Sequence, residues 1–244
     1  MTAIKKSSFL GHLQELRSRI LKSLVVILTC FLALIYFSND IYLVLSEPLL
    51  SFLPDNSSMI ATEVASPFLT PLKLTFYVSL LLSMPFLLNQ IWQFIAPGMY
   101  ENEKSLSFLL MLSSLILFYL GVLFTYFLVL PLVFSFFTGA APDGILIMTD
   151  ISRYLDFVLS MMFAFSIAFE IPVFIFLLIW SGISSSESLR SKRPYVIIGC
   201  FTVGMLVTPP DVISQSLLAI PAWILFELGI VMANLFVKKK EEKS

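Results

Sequence analysis

The side chains able to do chemistry in this chain are few, and most are carboxylates in costly or unexpected places. Glu170 sits inside the apolar stretch Phe163–Phe176, two residues ahead of Pro172. A charge at mid-bilayer costs about 2.5–3.5 kcal/mol, and burial favours the neutral acid. Glu170 is therefore either a functional polar contact or a neutral glutamate hydrogen-bonded within a bundle. Pro172 is expected to kink its helix and free carbonyls there. Glu227 lies nearer the end of the last apolar run and is expected to snorkel toward water. Glu15, and Glu101 with Glu103 beside the lone Lys104, form two acidic islands on an expected inner face otherwise rich in Lys and Arg. Carboxylates receive an arginine guanidinium in a fork geometry. The islands thus fit a receptor for a cationic ligand, the alternative being a solvated face or local ion pairs. Gln90 and Gln93 flank Trp92, which fits an interfacial aromatic anchor. Thr208, Ser214 and Gln215 surround Pro209-Pro210, whose tight turn leaves them to bond a partner helix or the turn's own backbone.

Other chemistries fall away. His12 is the one histidine, so histidine-based triads and histidine-rich metal sites are excluded, and no Cys/His cluster has metal-ligand spacing. Cys30 and Cys200 lie in apolar runs and read as small buried hydrophobes. No glycine-rich phosphate loop is present, so the chain is not expected to hydrolyse a nucleotide or to hold a cofactor. A net charge of −1 offers no basic face for nucleic acid.

Such residues need elements to position them, and composition says which. The 244 residues are 58% hydrophobic and 13% charged, with a mean hydropathy of +0.95. Soluble domains run about 45–50% apolar and about 25% charged. An all-α polytopic membrane protein follows. The apolar runs are Ile20–Phe37, Pro71–Ile91, Leu106–Phe137, Phe157–Trp180, Tyr195–Val207 and Val212–Val237. A bilayer core of about 30 Å needs about 20 helical residues, so the fifth run, reaching only about 20 Å, is short for a crossing. The first run is longer than a signal-peptide core and no small-x-small site follows it, so it reads as a retained helix.

Six crossings with the amino terminus inside place 13 of the 15 Lys and Arg residues in the cytoplasm, and only Lys73 and Arg153 outside. Both termini are therefore expected to be cytoplasmic. The chain divides as one membrane domain over 1–244: an amphipathic cytoplasmic helix over 1–19, six spans over 20–237 and a charged tail over 238–244. Phe9, Leu13, Leu16 and Ile20 make the apolar face of the amino-terminal helix, with Glu15 and Arg17 elsewhere on it. The outer loops, 38–70 and 138–156, carry Pro48, Pro54, Pro67 and Pro142 as punctuation, and Ile41–Leu53 has the spacing of a helix lying along the interface or is plain loop.

Four stretches resemble a known family. They are His12-Leu13-Gln14-Glu15-Leu16-Arg17-Ser18-Arg19; Ser66-Pro67-Phe68; Phe94-Ile95-Ala96-Pro97-Gly98-Met99-Tyr100-Glu101-Asn102-Glu103-Lys104; and Phe169-Glu170-Ile171-Pro172, with Arg193-Pro194-Tyr195 and Thr208-Pro209-Pro210-Asp211 after it. In this order they resemble the TatC family of the bacterial twin-arginine protein translocase across roughly 9–237. The resemblance implies a membrane receptor for signal peptides with two consecutive arginines. It implies work with the single-span proteins TatB and TatA, within an oligomeric receptor complex in the inner membrane. Export of folded proteins would be driven by the proton motive force. The implied fold is a concave, glove-like set of six helices, the last two short. Residue by residue, Glu15, Arg17, Phe94 and Glu103 match the signal-binding region and Glu170 the intramembrane glutamate. Met205, Thr208 and Gln215 match the docking positions of partner helices, and Pro48 and Asp211 match outer-face positions tied to activity. Gly98, Met99, Glu101 and Asn102 depart from the family pattern and make the surroundings of Glu103 more acidic.

Two other classes compete with this reading. An intramembrane Glu and proline-broken helices also suit a proton-coupled secondary transporter of a small solute, which predicts two similar halves that the chain lacks. An intramembrane enzyme needs a nucleophile with a base, or a metal pair, and neither is present within the spans.

Overall fold

The computed structural model describes residues 2–50, 59–95, 104–140, 148–208 and 211–241, with the backbone alone described at 2–10, 12, 48–50, 95, 104–106 and 237–241. The described chain is helical. Helix α1 runs Thr2–Leu34 and passes through a 3-10 turn, Ile35–Phe37, into α2, Ser38–Leu50. Helix α3 is Ser66–Ile95 and α4 is Lys104–Phe124. A π-helical turn, Thr125–Val129, joins α4 to α5, Leu130–Gly139. Then follow α6 (Ile151–Ala168), α7 (Ile171–Trp180), α8 (Ser186–Ser191), α9 (Arg193–Val207) and α10 (Val212–Glu241). Five stretches are long and apolar enough to cross a membrane: Leu13–Glu47, Ser66–Phe94, Ser107–Gly139, Ile151–Trp180 and Val212–Phe236. Helix α9 is apolar but has 15 residues, as its composition predicts.

Several boundaries differ from the sequence reading, each for a local reason. The amphipathic amino-terminal segment and the first span are one continuous helix, because no Pro interrupts 2–34. Helix α6 starts at Ile151, six residues ahead of its apolar run, because Asp150 caps it: Oδ1 accepts from the N–H groups of Ser152 (2.9 Å) and Arg153 (3.0 Å). The last helix is not short. It has 30 residues, because the apolar stretch Val212–Phe236 is by itself long enough to cross a membrane and Lys238–Lys240 continue the helix past it. The segment expected along the interface is helical over 38–50.

The chain folds as two compact units. In the first, Met1–Leu45 with Pro67–Leu115, α3 carries a buried hydroxyl ladder. Thr75 donates to the Pro71 carbonyl (2.8 Å), Ser79 to Thr75 (2.6 Å) and Ser83 to Ser79 (2.7 Å). Each hydroxyl satisfies itself on the preceding turn, which lets polar side chains sit within an apolar packing face. Along α1, Leu24, Val25, Leu28 and Leu32 are all more than half exposed, as suits a helix solvated by lipid.

In the second unit, Ser46–Ser66 with Ile116–Ser244, the core gathers Val129, Val133, Met161, Phe165 and Leu218. Gly121 lets two helices meet at backbone distance: a Cβ there would lie 2.8 Å from the Phe165 carbonyl oxygen and from Ser166 Cα. Helix α10 packs most extensively on α7 and α9, and Gly229 makes the first of these approaches possible, since a Cβ would lie 2.9 Å from Pro172 Cα. Outside the helices, Ile60 and Asp150 form a parallel β-bridge. The Ile60 N–H donates to Thr149 O (3.0 Å) and the Ile151 N–H to Ile60 O (2.9 Å).

Candidate functional site

Glu15 and Arg17 follow one another along α1, one turn before its apolar span. The Glu15 carboxylate already holds a guanidinium. Arg19, one turn on, donates Nη2 (2.6 Å) and Nε (3.1 Å) to Glu15 Oε1. The last turns of α3 complete the enclosure. Arg19 Nη1 donates to Gln90 Oε1 (3.2 Å) and Gln93 Oε1 (3.0 Å), and Nη2 reaches the Gln93 main-chain carbonyl (3.3 Å). That carbonyl lies where the helix dipole is negative and intrahelical donors run out, so a cation is favoured there. Gln93 is itself oriented by donating Nε2 to Asn89 Oδ1 (3.0 Å). Gln90 and Gln93, expected only to flank an interfacial anchor, instead supply oxygens to a charged group. Trp92 between them is buried, at 5% exposure, rather than exposed as an anchor.

Arg17 points elsewhere on α1. It is exposed and lines a cleft of about 670 Å³ with Gln14, Lys22, Leu21, Val25 and Phe86. Its lining combines two cations, Arg17 and Lys22, with the apolar Leu21, Val25, Val26 and Phe86. Phe94 is exposed on the last turn of α3 beside Gln93. Glu103 and Glu101 lie outside the described residues, as does the Pro48 side chain. Within unit one the structure thus brings together Glu15, Gln90 and Gln93 around Arg19.

The other expected positions belong to the second unit. Glu170 sits at the junction of α6 and α7, where the helix stops for two residues and restarts with Pro172 in its first turn. The break is the one expected of the proline. One carboxylate oxygen of Glu170 is fully shielded from solvent. Met205 is exposed on α9, while Thr208 is buried and donates to the Gly204 carbonyl (3.0 Å). Gln215 does not face a vacant surface: its Nε2 donates to the Phe201 carbonyl (2.8 Å), tying α10 to α9. Asp211 caps α10 by accepting from the Ser214 N–H (2.7 Å). The intervening Pro209-Pro210 turn lies outside the described residues.

Three polar groups carry no clear signal in the sequence. Arg193 grips Glu227 with two bonds of 2.5 Å, Nε to Oε1 and Nη2 to Oε2, so Glu227 is paired rather than snorkelling. Asp150 caps α6 and also accepts from the Thr62 hydroxyl (2.6 Å) and N–H (2.9 Å). Those hydrogen bonds hold its carboxyl down at about 2, against an ordinary value of 3.8. Arg19 belongs to the first of the family motifs, but its four-residue spacing from Glu15 is the only sign of a bond.

The chain is similar to known proteins over most of its length. Residues 11–221 match the family model TatC, Sec-independent protein translocase protein. The chain is 57% identical over 220 residues to a Sec-independent protein translocase protein TatC of Azotobacter chroococcum mcd 1, covering 90% of this chain and 86% of that one. It is 54% identical over 228 residues to the protein of that name in Escherichia coli (strain K12), covering 93% and 88%. Among solved structures, a twin arginine translocase receptor TatC superposes with a TM-score of 0.83 at 34% identity, covering 92% of this chain and 98% of that one. A family match across most of the length, relatives more than half identical and a shared fold agree: the chain belongs to the TatC family, and is a multi-pass membrane component of the Tat protein-translocation system.

Proposed function

We propose that this chain is the Tat receptor that captures signal peptides carrying two consecutive arginines. The observation that carries the reading is a carboxylate, Glu15, already holding a guanidinium beside the amide oxygens of α3. Glu15 and Glu103 take the two arginines of the peptide. Each charge-assisted hydrogen bond contributes roughly 1.5–3 kcal/mol. Phe94 packs the apolar residue that follows the pair, and Arg17 shapes the adjoining cleft. The peptide's apolar part then moves toward Glu170, the polar group at the helix break. The chain works as one polytopic domain in the inner membrane with both termini cytoplasmic, where most of its Lys and Arg lie. It recruits the single-span proteins TatB and TatA along α9 and the start of α10, around Met205, Thr208 and Gln215, and assembles with further copies of itself. Pro48 and Asp211 hold the opposite face. With α9 short, lipid thins beside it, which lowers the barrier to passage driven by the proton motive force; no cofactor or metal takes part.

Site-specific crosslinking of a twin-arginine precursor tests the reading. Glu15→Ala and Glu103→Ala proteins should insert normally and lose most of the crosslink. Full precursor binding by both variants would refute it.

A further inference from the structure

The four oxygens around Arg19 make a site of one chemical kind. A carboxylate oxygen, two side-chain amide oxygens and a main-chain carbonyl all accept, and all converge on a single planar cation. A guanidinium presents donors in a fixed fork that suits such a set, whereas an ammonium is a compact point charge. The cradle is not sealed. The Arg19 side chain is 18% exposed and that of Glu15 39%, and both of Arg19's bonds to Glu15 fall on Oε1. The pair is part-buried rather than enclosed, so a guanidinium arriving from water can reach the Glu15 carboxylate. Arg19 is tethered one turn from Glu15 on the same helix, so it is always at hand to refill the place.

We propose that Glu15, Gln90 and Gln93 form a guanidinium-binding cradle whose resting occupant is the chain's own Arg19, and that one arginine of the signal peptide takes its place. The proposal rests on the reading of Glu15 as a peptide contact and adds the competitor. An internal occupant lowers the apparent affinity of every ligand by the fraction of time the cradle is filled. Weak basic segments that bring only one cation are thereby held off, while a peptide that brings two guanidinium groups and an apolar stretch displaces Arg19. The occupant raises the threshold for binding without changing which headgroup the cradle prefers.

The test is equilibrium binding of a fluorescent synthetic twin-arginine signal peptide, and of the same peptide with two lysines, to the full chain in lipid nanodiscs. Arg19→Gln empties the cradle. It should tighten both peptides by a common factor of about three to tenfold, leaving the arginine-to-lysine ratio unchanged. Arg19→Lys keeps the charge but loses the fork, and should tighten binding by a smaller factor; it serves if the Gln variant does not fold. Glu15→Gln, run alongside, should weaken the twin-arginine peptide at least about tenfold. If Glu15→Gln binds normally, the receptor reading itself fails at this residue. If Glu15→Gln weakens binding but the Arg19 variants bind no tighter, Arg19 only positions Glu15 and the competitor proposal is overturned.

Discussion

Arg193 and Glu227 face each other across α9 and α10 with both guanidinium bonds at 2.5 Å, one to each carboxylate oxygen. They stand 34 positions apart in sequence, near a core of Ile175, Leu189, Phe226 and Ile230. The pair fastens the first turn of the short helix α9 to the long helix α10. Removing one partner leaves the other charge in a half-buried setting, which costs more than removing both. Glu227→Ala and Arg193→Ala should each lower the melting temperature in detergent by a few degrees. The double variant should lose less than the two single losses combined. Strict additivity in that double-mutant cycle is the result that would discard the coupling.

A pH-dependent latch ties the segment at Thr62 to the start of α6 at Asp150. Its carboxyl receives Thr62 Oγ1, the Arg153 and Thr62 N–H groups and the Ser152 N–H, which lower its pKa from 3.8 to about 2. The folded state therefore releases this proton more readily than the unfolded chain. The stabilisation is complete above 3.8 and is lost as the pH falls through about 2. Asp150→Asn should melt below the parent at pH 6, with the gap closing as the pH approaches 2. A gap that stays constant across that range would show that the charge plays no part.

How much of this was legible in the sequence depends on the distance between partners. Each apolar run reappears as helix, because hydrophobic burial and lipid solvation act residue by residue. The break at Glu170 was legible from Pro172, a backbone effect confined to one turn. The start of α6 was not, because a lone Asp150 stops counting as loop only when its carboxylate meets two N–H groups of the next turn. Arg19 with Gln90 and Gln93, and Arg193 with Glu227, lie 71, 74 and 34 positions apart. Their pairing depends on which helices become neighbours, which hydropathy does not encode. Glu227 accordingly reads as snorkelling from sequence, and Gln215 as bonding either a partner helix or the turn's backbone, where the structure pairs Glu227 with Arg193 and Gln215 with the Phe201 carbonyl.

Two glycines are fixed by close approach rather than by backbone freedom. A methyl group at Gly121 would press on the Phe165 and Ser166 backbone at 2.8 Å, and one at Gly229 on Pro172 at 2.9 Å and Ile175 Cβ at 3.0 Å. Backbone atoms cannot yield as a side chain can, so helices must separate. Gly121→Ala and Gly229→Ala should each cost about 1–3 kcal/mol. Gly204→Ala should cost less, because its nearest neighbour at 3.1 Å is the Gln215 side chain. Thermal melts that rank Gly204→Ala as the most damaging of the three would contradict this packing account.

Glu170 separates a polar role from a protonatable one. It occupies the junction between α6 and α7, where Pro172 prevents the helix from running through, and one of its oxygens is sealed from solvent. At mid-membrane the ionised form is the costly one, and a neutral acid and an amide of the same shape offer similar hydrogen-bonding groups. Glu170→Gln should therefore keep most of the export of a twin-arginine precursor, and Glu170→Ala should reduce it severalfold, with both proteins present at parental levels in the membrane. Equal loss in the two variants would mean that the carboxyl proton, rather than the polar contact, is what transport uses at this position.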